Sequence, residues 1–282
     1  MNSGQHARGE AFLAMHDGPA FVLPNVWDVA SARIFIKSGA RCLGTTSAGI
    51  AASLGFGDGE EITRDAMLEG IARISAAVEV PVTADIEGGY GDDPGAVAET
   101  TRLAIDAGAI GVNIEDTARG RDGRPAVEPL LSMQLHCERI AAAREAGEQL
   151  GLHVVINAVI YTHLRRPEGE IRFAEAVDRA RAYREAGADC VYVPGMRDRD
   201  EIASFVERVE CPVNVLAARG VASVADLSKI GVRRVSIGFA ASRATISLLG
   251  RIADELLTHG TYEALLDGSL SNDEAEALVR AG

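Results

Sequence analysis

Short apolar runs alternate along this chain with longer stretches in which apolar residues recur every three or four positions. The short runs are Phe21-Val22-Leu23-Pro24, Cys42 to Thr46, Val80 to Asp85, Ile110 to Glu115, His153 to Ala158, Cys190 to Val193, Pro212 to Leu216 and Val235 to Phe239. Each predicts a buried strand. Between them, Ala30-Ile34-Phe35, Met67-Ile71-Ile74-Val78, Val97-Thr101-Ala104-Ile105 and Phe173-Val177-Ala180-Tyr183 have helical spacing. Strands alternating with helices predict a parallel sheet under covering helices. Ser38-Gly39-Ala40, Ala107-Gly108-Ala109, Ala186-Gly187-Ala188 and Ile230-Gly231-Val232 each fall between a helix and the next strand. Glycine there ends a helix in the left-handed conformation. Eight strands in one unbroken alternation predict a closed (β/α)8 barrel. An open doubly wound sheet would want a GxGxxG loop after its first strand, and this chain has none. Beyond Phe239 the pattern is wholly helical, over Thr245 to Leu257, Tyr262 to Leu266 and Asn272 to Arg280. This extension, about 240–282, packs either on a partner subunit or on its own barrel. No linker divides the chain, so 1–282 reads as one domain.

At 282 residues and 47% hydrophobic, the chain has the size of such a barrel with added terminal helix. Its 28 basic and 41 acidic residues give a net charge of -13, which argues against nucleic acid or an anionic membrane as a partner. A site for an anionic substrate must then carry its own local positive charge, and a bound metal supplies one. Cys42, Cys137, Cys190 and Cys211 show no CxxC spacing and read as free thiols in a reducing compartment. Met1 to Glu10 is polar, so no signal peptide is expected, and no apolar run reaches the ~20 residues of a membrane span. A cytoplasmic protein is the expectation.

The candidate chemistry lies where strands stop. Thr83-Ala84-Asp85-Ile86-Glu87-Gly88-Gly89-Tyr90-Gly91 and Val112-Asn113-Ile114-Glu115-Asp116 both carry acids at the end of a strand-forming run. In a (β/α)8 barrel the carboxyl ends of the strands hold the active site. Carboxylates gathered there repel one another unless a cation or protons hold them, and hard oxygen ligands suit Mg2+ or Mn2+. Taken singly, each acid can equally cap a helix or pair with a surface arginine.

From about Phe21 to Gly250 the chain resembles the isocitrate lyase and phosphoenolpyruvate mutase superfamily. The resemblance rests on Leu23-Pro24-Asn25-Val26-Trp27-Asp28-Val29-Ala30-Ser31-Ala32-Arg33, on Thr45-Thr46-Ser47-Ala48-Gly49 followed by Leu54-Gly55-Phe56-Gly57-Asp58, on the Asp85 to Gly91 string, on Asn113-Ile114-Glu115-Asp116 and on Gly231-Val232-Arg233-Arg234-Val235-Ser236. It implies a barrel whose last helix swaps onto a neighbouring subunit in a dimer of dimers, with Mg2+ and a 2-oxo or 2-hydroxy acid as cofactor and substrate. It implies Asp85 as the direct metal ligand, with Asp58, Glu87 and Glu115 holding the metal through waters. Thr46, Ser47 and Ala48 match the positions that bind a substrate carboxylate. Trp27 walls the pocket or belongs to the core, and Tyr90 is a polar contact or a packed loop aromatic. Asn214 faces the site or makes a structural hydrogen bond. Asp58, Glu115 and Asn214 are the implied catalytic set. The shared logic is a metal-chelated oxo acid whose cleavage develops an enolate that the cation stabilises.

Three departures narrow the expected activity. The Lys-Lys-Cys-Gly-His loop of the family's lyases is missing, which argues against standard isocitrate or methylisocitrate cleavage. The loop that supplies lysine and asparagine in the mutases reads Thr117-Ala118-Arg119-Gly120-Arg121-Asp122-Gly123-Arg124-Pro125, so phosphonate chemistry loses its usual support. Its arginines either bring positive charge over the pocket or form a solvated loop. The fifth strand ends Asn157-Ala158-Val159-Ile160-Tyr161, where the family usually has an arginine at the position of Val159. Either the substrate has one anionic group fewer, or His163, Arg165 or Arg166 substitutes, or catalysis is lost. The leading expectation is a Mg2+-dependent C–C lyase for a small 2-oxo or 2-hydroxy (di)carboxylate, with oxaloacetate decarboxylation as one form. The alternatives are P–C bond hydrolysis or mutation of phosphonopyruvate, and an oxo-acid-binding barrel without turnover.

Overall fold

The computed structural model describes residues 3–119 and 125–280. Nine parallel strands form the barrel wall: β1 (Phe21–Leu23), β2 (Asn25–Val26), β3 (Leu43–Thr45), β4 (Val82–Asp85), β5 (Gly111–Glu115), β8 (Val155–Val159), β9 (Cys190–Tyr192), β10 (Val213–Leu216) and β11 (Arg234–Ser236). Between β5 and β8, β6 (Thr117–Arg119) and β7 (Pro125–Leu130) pair as an antiparallel hairpin. The sheet runs β1-β11-β10-β9-β8-β5-β4-β3-β2. Its two ends are one stretch of chain, because β1 and β2 are separated only by Pro24. Proline has no N–H to continue a ladder, so the strand changes neighbours there. β1 pairs with β11 and β2 with β3, which closes the ring. The eight expected strands are therefore all present, the first in two parts.

Every residue of β8 is buried, as a strand covered on both faces requires. The helices between strands start on side-chain caps, among them Thr63, Asp93, Ser132, Asp198 and Ser223. The repeated helix-ending glycines, Gly39, Gly108, Gly187 and Gly231, all have φ between 91° and 114°. That conformation strains any residue with a Cβ, which accounts for the repeat.

The polar start forms a helix, Ser3–Ala14, that the apolar pattern did not predict. Its Phe12 packs with Phe21, Leu23, Cys42, Ile110 and Val155. These belong to the first turns of strands, so the helix plugs the amino end of the barrel and leaves the carboxyl end open. After β11, helices Ala240–Asp254, Glu263–Leu266 and Asn272–Val279 form the expected extension. Arg33 Nη1 donates to the Val279 carbonyl at 2.6 Å, tying the end of the chain to its own first barrel helix, Val29–Lys37. Leu249, Leu257 and Leu266 of the extension remain exposed, as does Val22 on β1. The four cysteines are free. Among the described residues no helix is long and apolar enough to cross a membrane.

Candidate active site

Parallel pairing carries the inward face of one strand onto the next. Asp85, Asn113 and Asn157 stand in register across β4, β5 and β8, and Glu115, Val159 and Tyr192 across β5, β8 and β9. These rungs meet at a cavity of about 120 Å3 at the carboxyl ends of the strands. Its charged lining consists of Asp58, Asp85 and Glu115, and its uncharged lining includes Thr46, Ser47, Ala48, Asn25, Asn113, Tyr161, Tyr192 and Phe239.

Asp85 is held by Ser47, whose N–H and hydroxyl lie 3.2 and 2.9 Å from Oδ2. The same hydroxyl is 3.1 Å from Asp58 Oδ1, so it bridges two carboxylates. Ser47 therefore orients acids, while Thr46 caps the helix Ser47–Ser53 by accepting from Gly49 N–H. Glu115 accepts from the Tyr161 hydroxyl at 2.7 Å and from Thr117 at 3.3 Å. Tyr161 is itself fixed by its N–H on Asp116 Oδ1, and Asp116 by Arg179 and Tyr183.

Burial is the main cause of the unusual acidity here. It pushes Asp85 above the ordinary carboxylate range, with Asp58 adding to the effect, and raises Glu115 likewise, with Asp85 adding. Glu87 goes up to about 9, through burial and then the charges of Asp58, Glu115 and Asp85. Burial, followed by the neighbouring Glu115, also raises the Tyr161 phenol. Acids crowded and buried in this way are stabilised by protons or by a cation.

The donor set fits a hard divalent cation. Glu87 Oε1 is buried without a hydrogen-bond partner, and all the charged groups offered are carboxylate oxygens. Among the described residues no three His, Cys, Asp or Glu side chains converge closely enough to ligate one ion together. One direct carboxylate with water between the ion and the rest is the arrangement this allows, and Mg2+ retains waters readily.

Several expected site residues lie elsewhere. Glu87 sits behind the lining, with Oε2 accepting from Glu60 N–H at 2.5 Å, and acts on the cavity through its charge. Tyr90 does not line the cavity. Its N–H goes to Glu60 and its buried hydroxyl has no hydrogen-bond partner. Both residues have positive φ, 52° and 59°, and this turn carries them away from the cavity. Trp27, expected as a pocket wall or as core, does not line the cavity: after the break at Pro24 it lines an outer groove with Ile50 and Leu54. Asn214 is buried below the cavity and donates to Ser236 at 3.0 Å, so it is a structural amide. Of the residues considered as substitutes at Val159, none lines the cavity. His163 Nε2 is 3.0 Å from Glu201, Arg165 stacks on the Tyr161 ring, and Arg166 pairs with Glu175. Arg121, Arg124 and the side chain of Arg119 lie outside the described residues.

The sequence reading missed Tyr161, Tyr192, Asn113 and Asn25. Tyr192 ends β9 on the inward face, and the rule that chemistry sits at strand ends points to it. Arg234 was also missed. It is fully buried beneath the cavity, donating to Asn113 at 3.1 Å with its guanidinium 5.8 Å from the Phe12 ring.

Comparisons with known proteins agree with this geometry. The sequence profile of the phosphoenolpyruvate phosphomutase family matches residues 12–257. A crystal structure of a candidate lyase/mutase from Burkholderia cenocepacia J2315 is 40% identical, with a TM-score of 0.89 over 98% of this chain and 96% of that one. The uncharacterized protein Rv1998c of Mycobacterium tuberculosis (strain ATCC 25618 / H37Rv) is 36% identical across 79% of each chain. Oxaloacetate decarboxylase of Pseudomonas aeruginosa (strain LESB58) is 31% identical across 90% of each. With its closed barrel, its acids at the strand ends and a family match over most of its length, the chain belongs to the isocitrate lyase and phosphoenolpyruvate mutase superfamily.

Proposed function

We propose that this protein is a divalent-metal-dependent lyase that cleaves a carbon–carbon bond in a small 2-oxo or 2-hydroxy acid. One observation carries the reading: Asp58, Asp85 and Glu115 line a single cavity at the carboxyl ends of the strands, and no cationic side chain among the described residues lines it with them. Asp85 would hold Mg2+ or Mn2+ directly, and Asp58, Glu87 and Glu115 through water. The bound cation would supply positive charge against the negative charge that develops on the 2-oxo group as the bond breaks.

The chain's own groups prepare that step. Ser47 fixes one oxygen of Asp85 at the cavity, and a backbone hydrogen bond from Glu87 also holds this carboxylate. Tyr161 and Thr117 hold Glu115 in one orientation at the cavity, where it can accept hydrogen bonds from water held by the cation. The 120 Å3 cavity suits a fragment of a few heavy atoms and limits water. The relation to an oxaloacetate decarboxylase supports C–C cleavage. The reading covers loss of CO2 from an oxaloacetate-like acid and cleavage that releases a neutral carbonyl fragment. P–C chemistry has less support, because the described lining offers a phosphonate no cation.

The test is release of pyruvate or another oxo acid from a panel of 2-oxo and 2-hydroxy acids, with Mg2+ and with chelator. Turnover that depends on Mg2+ is expected. Tight binding of an oxo acid without consumption would make the barrel a sensor instead. A dimer of dimers with exchanged C-terminal helices belongs to the same proposal, supported by the exposed leucines of the extension and by uncovered Val22. A cytoplasmic location does too, supported by the free thiols.

A further inference from the structure

We infer that the substrate of this site carries a single carboxylate and ends in an uncharged group. The inference rests on the oxo-acid reading and narrows it. Beside the three acids, the wall is built by Val159, Tyr161, Tyr192, Pro194 and Phe239, which carry no charge at neutral pH. Register places Val159 directly between Glu115 and Tyr192, so this neutral wall begins next to a carboxylate.

Charge balance then decides what fits. A bound dication can offset one substrate carboxylate in a cavity that already holds three acidic side chains. A second carboxylate lying against Val159 would lose its water, gain no cation from the described residues and face Glu115. The nearby cations of the described residues are engaged elsewhere. His163 is at Glu201, Arg165 lies over the Tyr161 ring, 5.6 Å from its centroid, without lining the cavity, and Arg166 is on Glu175. Arg234 lies beneath the floor, bonded to Asn113 and fully buried. An alkyl, hydroxyalkyl or carbonyl end meets none of these penalties. The valine and phenylalanine give it apolar contact, and the tyrosine hydroxyl oxygens give it hydrogen-bonding partners. The substrate class is thus a 4-hydroxy-2-oxo monocarboxylic acid: as the C4 hydroxyl gives up its proton and becomes a carbonyl, the C3–C4 bond breaks, the electron pair stays on C3 as the enolate of the smaller 2-oxo acid, a proton returns to C3, and the other product is a neutral aldehyde or ketone.

The experiment is calorimetric binding, in saturating Mg2+, of two acids that differ only at the far end: 2-hydroxybutyrate, which ends in a methyl group, and malate, which ends in a carboxylate. The wild-type protein is expected to bind 2-hydroxybutyrate at least about tenfold more tightly. Val159→Arg is expected to reverse the order, and Val159→Met to keep it. Should Val159→Arg fail to fold, as judged by its thermal melt, the wild-type pair decides alone. Malate binding as tightly as 2-hydroxybutyrate or more so in the wild type overturns the inference and leaves the oxo-acid reading standing. If neither acid binds, the oxo-acid reading itself fails and the inference with it.

Discussion

The two ends of the barrel treat carboxylates in opposite ways. At the amino end, Asp189 precedes β9 and receives Arg144 at 2.5 Å, His153 at 2.6 Å and the Ile156 N–H at 2.8 Å. Burial alone would raise its pKa, yet these partners outweigh burial and hold it below the ordinary range. At the carboxyl end, Asp85, Glu87 and Glu115 are buried with hydroxyl and amide donors but, among the described residues, without an ion pair to any of their carboxylates, and all three are raised. An acid compensated by its own chain fastens the fold. Acids left uncompensated by the chain are a demand for something from outside, and that difference separates structure from function within one sheet.

The largest effect that would sharpen the contrast is on turnover. Asp85→Asn is expected to lower kcat by about 10^3-fold or more, since it removes the group that fixes the stabilising charge. Its melting temperature in chelator should hold or rise, because a buried, uncompensated acid has been neutralised. An unchanged kcat in steady-state assay would break the assignment. Asp189→Asn should do the reverse. It leaves the largely buried Arg144 without its charge partner, which costs about 3 kcal/mol. Urea unfolding reads this loss, and activity per folded molecule should be that of the wild type.

A smaller effect lies in the pH dependence of stability, measured in chelator. Asp189 has a lowered pKa when folded, so the stability it gives is present above about pH 4 and is lost as pH falls through the folded value. Glu87 has the opposite sign. Its pKa is raised from 4.5 to about 9, so the stability present at low pH is lost as pH climbs from the first value toward the second. Glu87→Gln should flatten that high-pH decline and leave the acid limb in place, while Asp189→Asn should flatten the acid limb alone. Thermal melts from pH 3 to pH 9 check both.

Much of this architecture was legible in the sequence because it is written at chain ends of elements. Strand runs, the glycines at helix ends and the acids just past β4 and β5 all obey local rules. What stayed hidden depends on direction and depth. Glu87 and Tyr90 sit two and five residues beyond Asp85, but a left-handed turn aims them behind the cavity. Asn214 does lie on a barrel strand, in register with Tyr192, yet its amide is buried against Ser236 and does not line the cavity, a direction that no local pattern shows. Trp27 was displaced by the switch at Pro24, which a continuous strand would not have made. Tyr161 and Tyr192 looked like ordinary strand or loop aromatics, since nothing local marks a tyrosine that faces an acid. Arg234 escaped notice for the same reason: its isolation is visible only once Phe12 and Asn113 are seen against it.

The most direct measurement of the central claim is Mn2+ uptake followed by electron paramagnetic resonance, in which the free ion gives a signal that fades on binding. The wild type and Asp189→Asn should each remove one equivalent of Mn2+ with the same affinity, and Asp85→Asn should remove none in the same concentration range. Equal uptake by the Asp85→Asn protein would contradict the account, because the acids at the carboxyl end would then not be the cation site.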